Sequence, residues 1–232
     1  MFEHRIKKSK ICILLPALNE ELTVGKVIDE IPQQNLKTAG YDVEIVVIDN
    51  NSTDDTKQVA QARGARVITE SRRGKGRAVR TGLASVKADF LFVLDADYTY
   101  PATYILDMLE ILNQGRSVVV GSRLTGQREK EAMKGLNLFG NRVLSLLASL
   151  LYGRKISDLC TGCWGFRREV IPQLILQTDG FTLEAELFIQ LAKKGYHIAE
   201  VPIYYRRREG STKLNRIRAG IKIAWMLIAS RF

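Results

Sequence analysis

A chain of 232 residues with 46% hydrophobic and 26% charged residues can bury one substantial core and is neither disordered nor fibrous. With 35 Lys and Arg against 25 Asp and Glu, the formal charge is +10, which favours anionic partners: nucleic acid, anionic lipid or phosphorylated substrates. Three cysteines are too few for a disulfide scaffold, and no apolar run reaches the length of a membrane-spanning helix, about 18 residues or more. The polar, basic start from Met1 to Lys10 lacks the apolar stretch of a secretory leader, so a cytosolic chain is expected.

Short runs rich in Val, Ile, Leu and Phe at 11–15, 43–49, 90–95 and 117–121 read as strands buried on both faces. Between them, 20–31, 54–63, 75–86 and 101–112 carry helical spacing, with Pro101 suited to a first turn and Asn51-Ser52-Thr53 supplying caps. Strands alternating with helices predict βαβ units and a mostly parallel α/β sheet in one domain. Further on, 136–152 is an apolar helix candidate, 180–194 an amphipathic helix and 198–205 a strand. The end, 214–232, sets Ile217, Ile221, Ala224, Trp225 and Ile228 near one face and Arg218 and Lys222 on another. That pattern suits a helix lying in a membrane interface or one packed on the core. The domain reading is an α/β unit over 1–213, including the apolar helix 136–152, and a membrane-interface helix over 214–232.

In parallel α/β sheets, ligands bind beyond the carboxyl ends of the strands. Pro16-Ala17-Leu18-Asn19-Glu20 follows the first strand, and Asp49-Asn50-Asn51-Ser52-Thr53-Asp54 ends the second. Asp95-Ala96-Asp97 ends the third, and Gly121-Ser122-Arg123 the fourth. Acid, amide or Arg at each of these ends is poorly explained by turns and caps alone. Two carboxylates spaced i, i+2 after a buried strand can converge on one hard cation, Mg²⁺ or Mn²⁺, whose shell is completed by substrate phosphates. Arg72, Arg73, Lys75 and Arg77 around Gly74 and Gly76 form a basic, glycine-rich loop before a helix, a candidate pyrophosphate contact. A second basic run, from Arg206 through Arg207, Arg208 and Lys213 to Arg231, has no aromatic ladder for stacking bases, so phosphate or membrane is favoured over nucleic acid. Cys160 and Cys163 form a C-x-x-C, but no second pair accompanies them and a zinc site is not expected.

These motifs, in this order and spacing, resemble family 2 glycosyltransferases, above all the branch of dolichol-phosphate mannose synthases and polyprenyl-phosphate glucosyltransferases. The likeness runs on through Asp158-x-x-Thr161-Gly162, Phe166-Arg167-Arg168, Glu184 with Glu186, Glu200-Val201-Pro202-Ile203, and Arg207-Arg208 with Gly210, Ser211 and Lys213-Leu214. It implies a nucleotide-diphosphate-sugar fold of the A type. Pro16, Ala17, Asn19, Glu20, Asp49, Asn50 and Lys75 would line the nucleotide sugar, and Asp95, Ala96 and Asp97 the metal and diphosphate. Arg123, Arg207, Arg208 and Lys213 would meet donor or acceptor phosphates.

Two departures stand out. The usual acid-acid-glycine is Asp49-Asn50-Asn51, which favours UDP over GDP, and Thr99 stands where mannose synthases often carry a Gln that completes the metal site.

The implied reaction is inverting attack of a polyprenyl phosphate on the anomeric carbon of a nucleotide-linked hexose. A phosphate monoester, with its second pKa near ~6, needs no strong general base. Asp158 or Glu184 would be a base for a hydroxyl acceptor, and Asp158 equally suits a loop-fixing hydrogen bond. A glycan or soluble hydroxyl acceptor is the first rival, and a non-catalytic nucleotide-sugar-binding protein the second. Working from lipid would make the protein peripheral on the cytoplasmic face of the membrane. The sugar and the oligomeric state stay open.

Overall fold

The computed structural model describes residues 8–209 and 216–231. Seven strands form one sheet: β1 (Lys10–Ala17), β2 (Asp42–Asp49), β3 (Arg66–Thr69), β4 (Phe90–Leu94), β5 (Val118–Ser122), β6 (Cys163–Arg167) and β7 (Ile198–Pro202). Their order is β3-β2-β1-β4-β6-β5-β7, with every pairing parallel except those of β6 to β4 and β5. The expected mostly parallel α/β architecture is what forms.

The apolar runs read as buried on both faces because each face has its own helical layer. Ile11, Ile13 and Leu15 of β1 point to one side, and Cys12 and Leu14 to the other. The first side is covered by α1 (Val24–Glu30), α2 (Gln33–Thr38), α3 (Thr56–Ala62) and α5 (Ile105–Asn113). The second is covered by α4 (Lys75–Ser85), α6 (Gly135–Tyr152), α7 (Leu183–Lys193) and α8 (Arg216–Ala229). Side chains alternating across a pleated strand make continuous apolarity the natural signature of such a double-faced sheet.

Three elements go beyond the sequence reading. α2 is a six-residue helix with a single buried residue, Leu36, and β3 is a short edge strand with a half-exposed pattern, so neither has strong periodicity. β6 is buried but is interrupted by Gly165, where a Cβ would fall 2.8 Å from Val119 and 2.9 Å from Phe92. A strand glycine of this kind marks a close approach. Because β6 is antiparallel, its first residue Cys163 pairs with Leu94 at the carboxyl end of β4, so residues 158–162 enter at the same edge as Asp95 and Asp97. The expected 20–31 helix begins at Val24, residues 20–23 forming a turn.

The last helix packs on the core along one stripe and is exposed along another. Ile223 and Leu227 of α8 are buried against α6 and α7, while Ile217, Ile221 and Trp225 are exposed. Lys213 lies outside the described residues.

The α4 entry rests on close backbone approach. The Gly76 amide donates to the Asp179 carbonyl at 3.0 Å, and a Cβ at Gly76 would sit 2.0 Å from the Thr178 carbonyl oxygen. Gly76→Ala must therefore push the 178–179 backbone away and is expected to cost about 1–3 kcal/mol, as overpacked sites do. A thermal melt of the variant that overlays the unsubstituted protein would refute this packing.

Candidate active site

The carboxyl ends of β1, β2, β4, β5 and β7 lie along one edge, and the chain reverses its direction of winding between β1 and β4. Such a switch point opens a crevice between neighbouring loops. Glu20 enters from the β1 side, Asp95 and Asp97 from β4, Asp158 through the β6 lead-in, and Glu184 from the first turn of α7.

The loops are knitted before any ligand is considered. Asn19, Asn51 and Tyr98 have positive φ of 55°, 62° and 62°. Asn tolerates that conformation, whereas for Tyr98 it is strained and is held by its surroundings. The Asn19 amide N–H donates to Ser52 Oγ at 3.0 Å and its side-chain oxygen accepts from the Thr53 amide at 2.8 Å. The Glu20 amide donates to Thr56 Oγ1 at 2.8 Å, tying the first loop to the N-terminus of α3. Pro16 and Ala17 stay within β1, opposite Ile48 and Asp49. Asp49 is buried and accepts from the Ser52 amide at 3.3 Å.

Asn50 is also buried, and both halves of its amide are used. Its nitrogen donates to the carbonyls of Glu70 and Arg72 at 3.2 and 2.9 Å, and its oxygen accepts from the Gly74 amide at 2.6 Å. Only an amide can donate and accept in that pattern, so Asn50 fastens the turn that delivers Lys75.

Around the crevice each carboxylate meets a cation. Lys75 Nζ lies 2.5 Å from Asp95 Oδ1 and 2.6 Å from Glu184 Oε1. Burial works to lower the lysine pKa, but the two carboxylates outweigh it and hold it above its ordinary value. The other cations of the glycine-rich loop are also engaged: Arg72 with Glu70, Arg73 with the Asn51 carbonyl and Arg77 with Asp179.

Asp97 is buried. Its Oδ1 accepts from Thr99 Oγ1 at 2.6 Å and from the Thr99 amide at 3.2 Å. Its Oδ2 accepts from Arg208 Nη1 at 2.6 Å, and Arg208 Nη2 reaches Glu20 Oε1. Burial, with the Asp95 charge beside it, raises the Asp97 pKa. Ala96 is buried between the two aspartates.

Arg123 donates to Asp158 through Nε at 2.8 Å, Nη2 at 2.7 Å and its own amide at 2.9 Å. Its guanidinium carbon lies 5.9 Å from the Tyr100 ring and 5.3 Å from the Tyr205 ring. Asp158 has no exposed surface, and this paired, forked geometry keeps both charges inside. Arg207 is exposed, its amide bonded to Glu129 Oε2 at 2.8 Å, and its guanidinium makes no bond among the described residues. With Tyr98, Glu129, Arg206, Arg208 and Glu209 it lines a cavity of about 690 Å³.

Several contributors escape a sequence reading. Tyr100 and Tyr205 flank Arg123, and Arg206 pairs with Glu30 beneath Tyr98; they lie far apart in the chain and match no motif. Gly162 was visible as a motif residue but not as a contact: a Cβ there would sit 2.1 Å from Asp95 Oδ2. Glu186 accepts from the Gln177 and Thr178 amides at 2.7 and 3.0 Å and so shapes the loop beside Gly76. Cys163 packs against Met108, with burial pushing its thiol up to about 12, and no group of three or more metal-ligating side chains occurs among the described residues.

The donor set at the crevice suits a hard divalent ion that takes few protein ligands. Two carboxylates converge there, and a guanidinium already stands as a cation against Asp97. The sheet order, the antiparallel β6 and this acidic crevice define a nucleotide-diphosphate-sugar transferase fold of the A type.

The sequence profile of glycosyl transferase family 2 matches residues 12–175, and the chain belongs to that family. It is 36% identical over 218 residues to a dolichyl-phosphate hexose transferase of Haloferax volcanii, covering 94% of this chain and 92% of that one. It is 37% identical over 213 residues to glycosyltransferase AglJ of the same organism, covering 90% and 68%. Among solved structures, glucosyl-3-phosphoglycerate synthase from Mycobacterium tuberculosis, bound to Mn²⁺, UDP and glucosyl-3-phosphoglycerate, superposes with a TM-score of 0.77. It is 26% identical, over 96% of this chain and 80% of that one.

One consequence concerns pH. Burial first, then the Asp97 charge, pushes the Glu20 carboxyl up from 4.5 to about 7 despite Arg208 beside it. The unfolded chain releases that proton at lower pH than the native state, so native stability from this group is present below pH 4.5 and lost as pH rises through about 7. Glu20→Gln removes the effect. Denaturant melts across this window should show the unsubstituted protein losing stability relative to the variant as pH rises; a constant offset would refute the assignment.

Proposed function

We propose that this protein transfers a hexosyl unit, with inversion, from a nucleotide-diphosphate sugar to a polyprenyl phosphate at the membrane surface. The observation that carries the lipid acceptor is the apolar surface of α6 and α8. These helices pack together, yet Phe139 of α6 and Trp225 of α8 are 67% and 70% exposed, and Leu136, Leu150, Ile217 and Ile221 are exposed beside them on the same two helices. Exposed large apolar side chains in such number mark an interaction surface. Arg218 and Lys222 of α8 are exposed as well, a composition suited to anionic headgroups. No helix among the described residues is long and apolar enough to cross a membrane; the mode proposed is peripheral, on the cytoplasmic face. The 36% identical relative named as a dolichyl-phosphate hexose transferase supports the same acceptor.

In this reading Pro16, Ala17, Asn19, Glu20 and Asp49 border the base and ribose, and Asn50 holds the loop that carries Lys75. Asp95 and Asp97 would hold Mg²⁺ or Mn²⁺, whose chemistry is to neutralise the departing diphosphate. Lys75 holds Asp95 in place through their ion pair. Arg207 and Arg208 bind phosphate oxygens at the mouth of the cavity, and Lys213, outside the described residues, is assigned to phosphate by the family resemblance alone. Arg123, clamped by Asp158, sets a fixed positive charge behind the reacting groups. The Arg123 pairing favours the positioning role for Asp158. A lipid phosphate is already dianionic near neutral pH, so its oxygen attacks without a protein base, and Glu184 serves through its pairing with Lys75.

A second reading has one observation in its favour: the glucosyl-3-phosphoglycerate synthase neighbour is bound to a small phosphorylated product. It assigns a soluble, phosphorylated hydroxyl acceptor. Assays pairing UDP- and GDP-hexoses with either a polyprenyl phosphate or 3-phosphoglycerate should give transfer to the lipid. Transfer to 3-phosphoglycerate alone would reverse the order of the two readings.

Two further outcomes are expected. Asp97→Asn should lower kcat by about 10²-fold or more, as loss of a group stabilising developing charge does, with little change in melting temperature. Full activity of that variant in EDTA would refute the metal assignment. The protein should float with anionic liposomes at low salt, less so at high salt, and less again when the exposed Ile221, Trp225 and Ile228 are made polar while the buried Leu227 is left intact. Complete retention in the soluble fraction at low salt would remove the physical support for the lipid acceptor.

A further inference from the structure

We propose that Arg208 is an exchangeable counter-cation: it holds Asp97 and Glu20 while no metal is bound, and yields Asp97 to the divalent ion to serve the substrate's phosphates. This rests on the metal reading of Asp95 and Asp97 above.

The charge on Asp97 motivates the exchange. Its Oδ1 accepts from Thr99 Oγ1 at 2.6 Å and from the Thr99 amide at 3.2 Å, while Oδ2 faces the Arg208 guanidinium at 2.6 Å, so a second cation on Asp97 competes with that guanidinium for the same carboxylate. The Thr99 bond is local, made within one turn of chain, and fixes the orientation of the carboxylate. The Arg208 bond joins residues 111 positions apart and comes from a side chain 36% exposed. An ion that binds Asp97 displaces the guanidinium, not the threonine.

Arg208 is also imperfectly housed. Its two terminal nitrogens are bonded to Asp97 and Glu20, but its Nε is buried with no partner. A buried donor left unmade carries a desolvation cost that the folded state does not recover, so this position is one the guanidinium leaves readily. The need for some cation there is equally clear, since Glu20 and Asp97 bring two largely buried carboxylates to the one guanidinium.

The backbone just before Arg208 is pinned, and the side chain just after it is tied by an ion pair, which favours motion of the Arg208 side chain. The Arg206 amide donates to the Thr99 carbonyl at 2.9 Å, and the Arg207 amide to Glu129 Oε2 at 2.8 Å. The Arg206 guanidinium stacks 4.2 Å from the Tyr98 ring centre and pairs with Glu30. Glu209 is tied to Lys26 at 2.6 Å. Released from Asp97, Arg208 stays on the wall of the 690 Å³ cavity that Arg206 and Arg207 also line. There a phosphate oxygen can accept from Nε as well as from the terminal nitrogens, in the forked geometry that guanidinium and phosphate favour.

Exchange predicts opposite effects of one substitution in two states. The test is binding of Mn²⁺ to the full chain, read by the loss of the free-ion electron paramagnetic resonance signal, without nucleotide and with UDP or GDP. Arg208→Gln should bind Mn²⁺ alone about tenfold more tightly than the unsubstituted protein, because its binding-competent state is no longer a minor one. With the nucleoside diphosphate present that gain should vanish or reverse, because the phosphates have lost their guanidinium. Arg208→Lys keeps the charge and folding support but loses the fork, and should fall between the two in both states. Mn²⁺ affinity that is unchanged or weaker without nucleotide, in both variants, overturns the exchange. If the unsubstituted protein binds Mn²⁺ no better than Asp97→Asn, with or without nucleotide, the metal assignment itself fails.

Discussion

Carboxylates that leave an apolar sheet at its carboxyl edge have lost much of their water, and the surrounding architecture supplies a cation for each. Glu20, Asp95, Asp97, Asp158 and Glu184 converge there; Arg208 serves Glu20 and Asp97, Lys75 serves Asp95 and Glu184, and Arg123 serves Asp158. Removing Asp158 would strand the Arg123 charge where solvation is low, a large effect in a protein interior, whereas Arg208 and Lys75 each keep a second carboxylate when one is lost. The partners arrive from distant parts of the chain, so the same ion pairs that prepare the crevice also lock the loops around it.

The cations are not equivalent. Lys75 and Arg123 are enclosed, held at short distance by carboxylates and, for Arg123, by two aromatic rings. Their charges are permanent parts of the site, available to stabilise anions through space without moving. Arg207 and Arg208 border open volume on a segment whose backbone is fixed but whose side chains face the cavity. A transferase that must accept one anion, release another and hold a metal between them needs both kinds: a fixed field for preorganisation and mobile guanidinium groups for exchange.

Glycine and a single antiparallel strand make this crowding possible. Gly162 lets the 158–162 segment lie directly against Asp95, and Gly165 lets β6 fit between β4 and β5 against Phe92 and Val119. β6 delivers Asp158 to an edge otherwise fed only by parallel strands. On the far side of the second helical layer, α6 and α8 bury one stripe and leave another apolar stripe uncovered, so the helices that complete the core also present a surface for a partner or a bilayer.

The amino-acid sequence by itself determined the α/β class, since apolar runs of strand length alternating with helical spacing admit few other arrangements. It also determined the edge at which the acid, amide and Arg side chains gather, because they follow strand after strand. Those are local properties, written in consecutive residues. Whether Asn50 faced a base or a loop, whether Asp158 would act as a base or clamp Arg123, and which acid each cation would meet were decided only in the tertiary structure. Each depends on residues between 20 and 188 positions apart. The same holds for β6, whose run is interrupted by Gly165 and does not declare a strand until β4 and β5 pair with it. Helix α8 shows the boundary most plainly: its spacing announced an amphipathic helix, but only packing against α6 and α7 selected Ile223 and Leu227 for burial and left Trp225 outside. Periodicity says that a face is apolar; which neighbour covers it is settled by chain segments meeting across the fold.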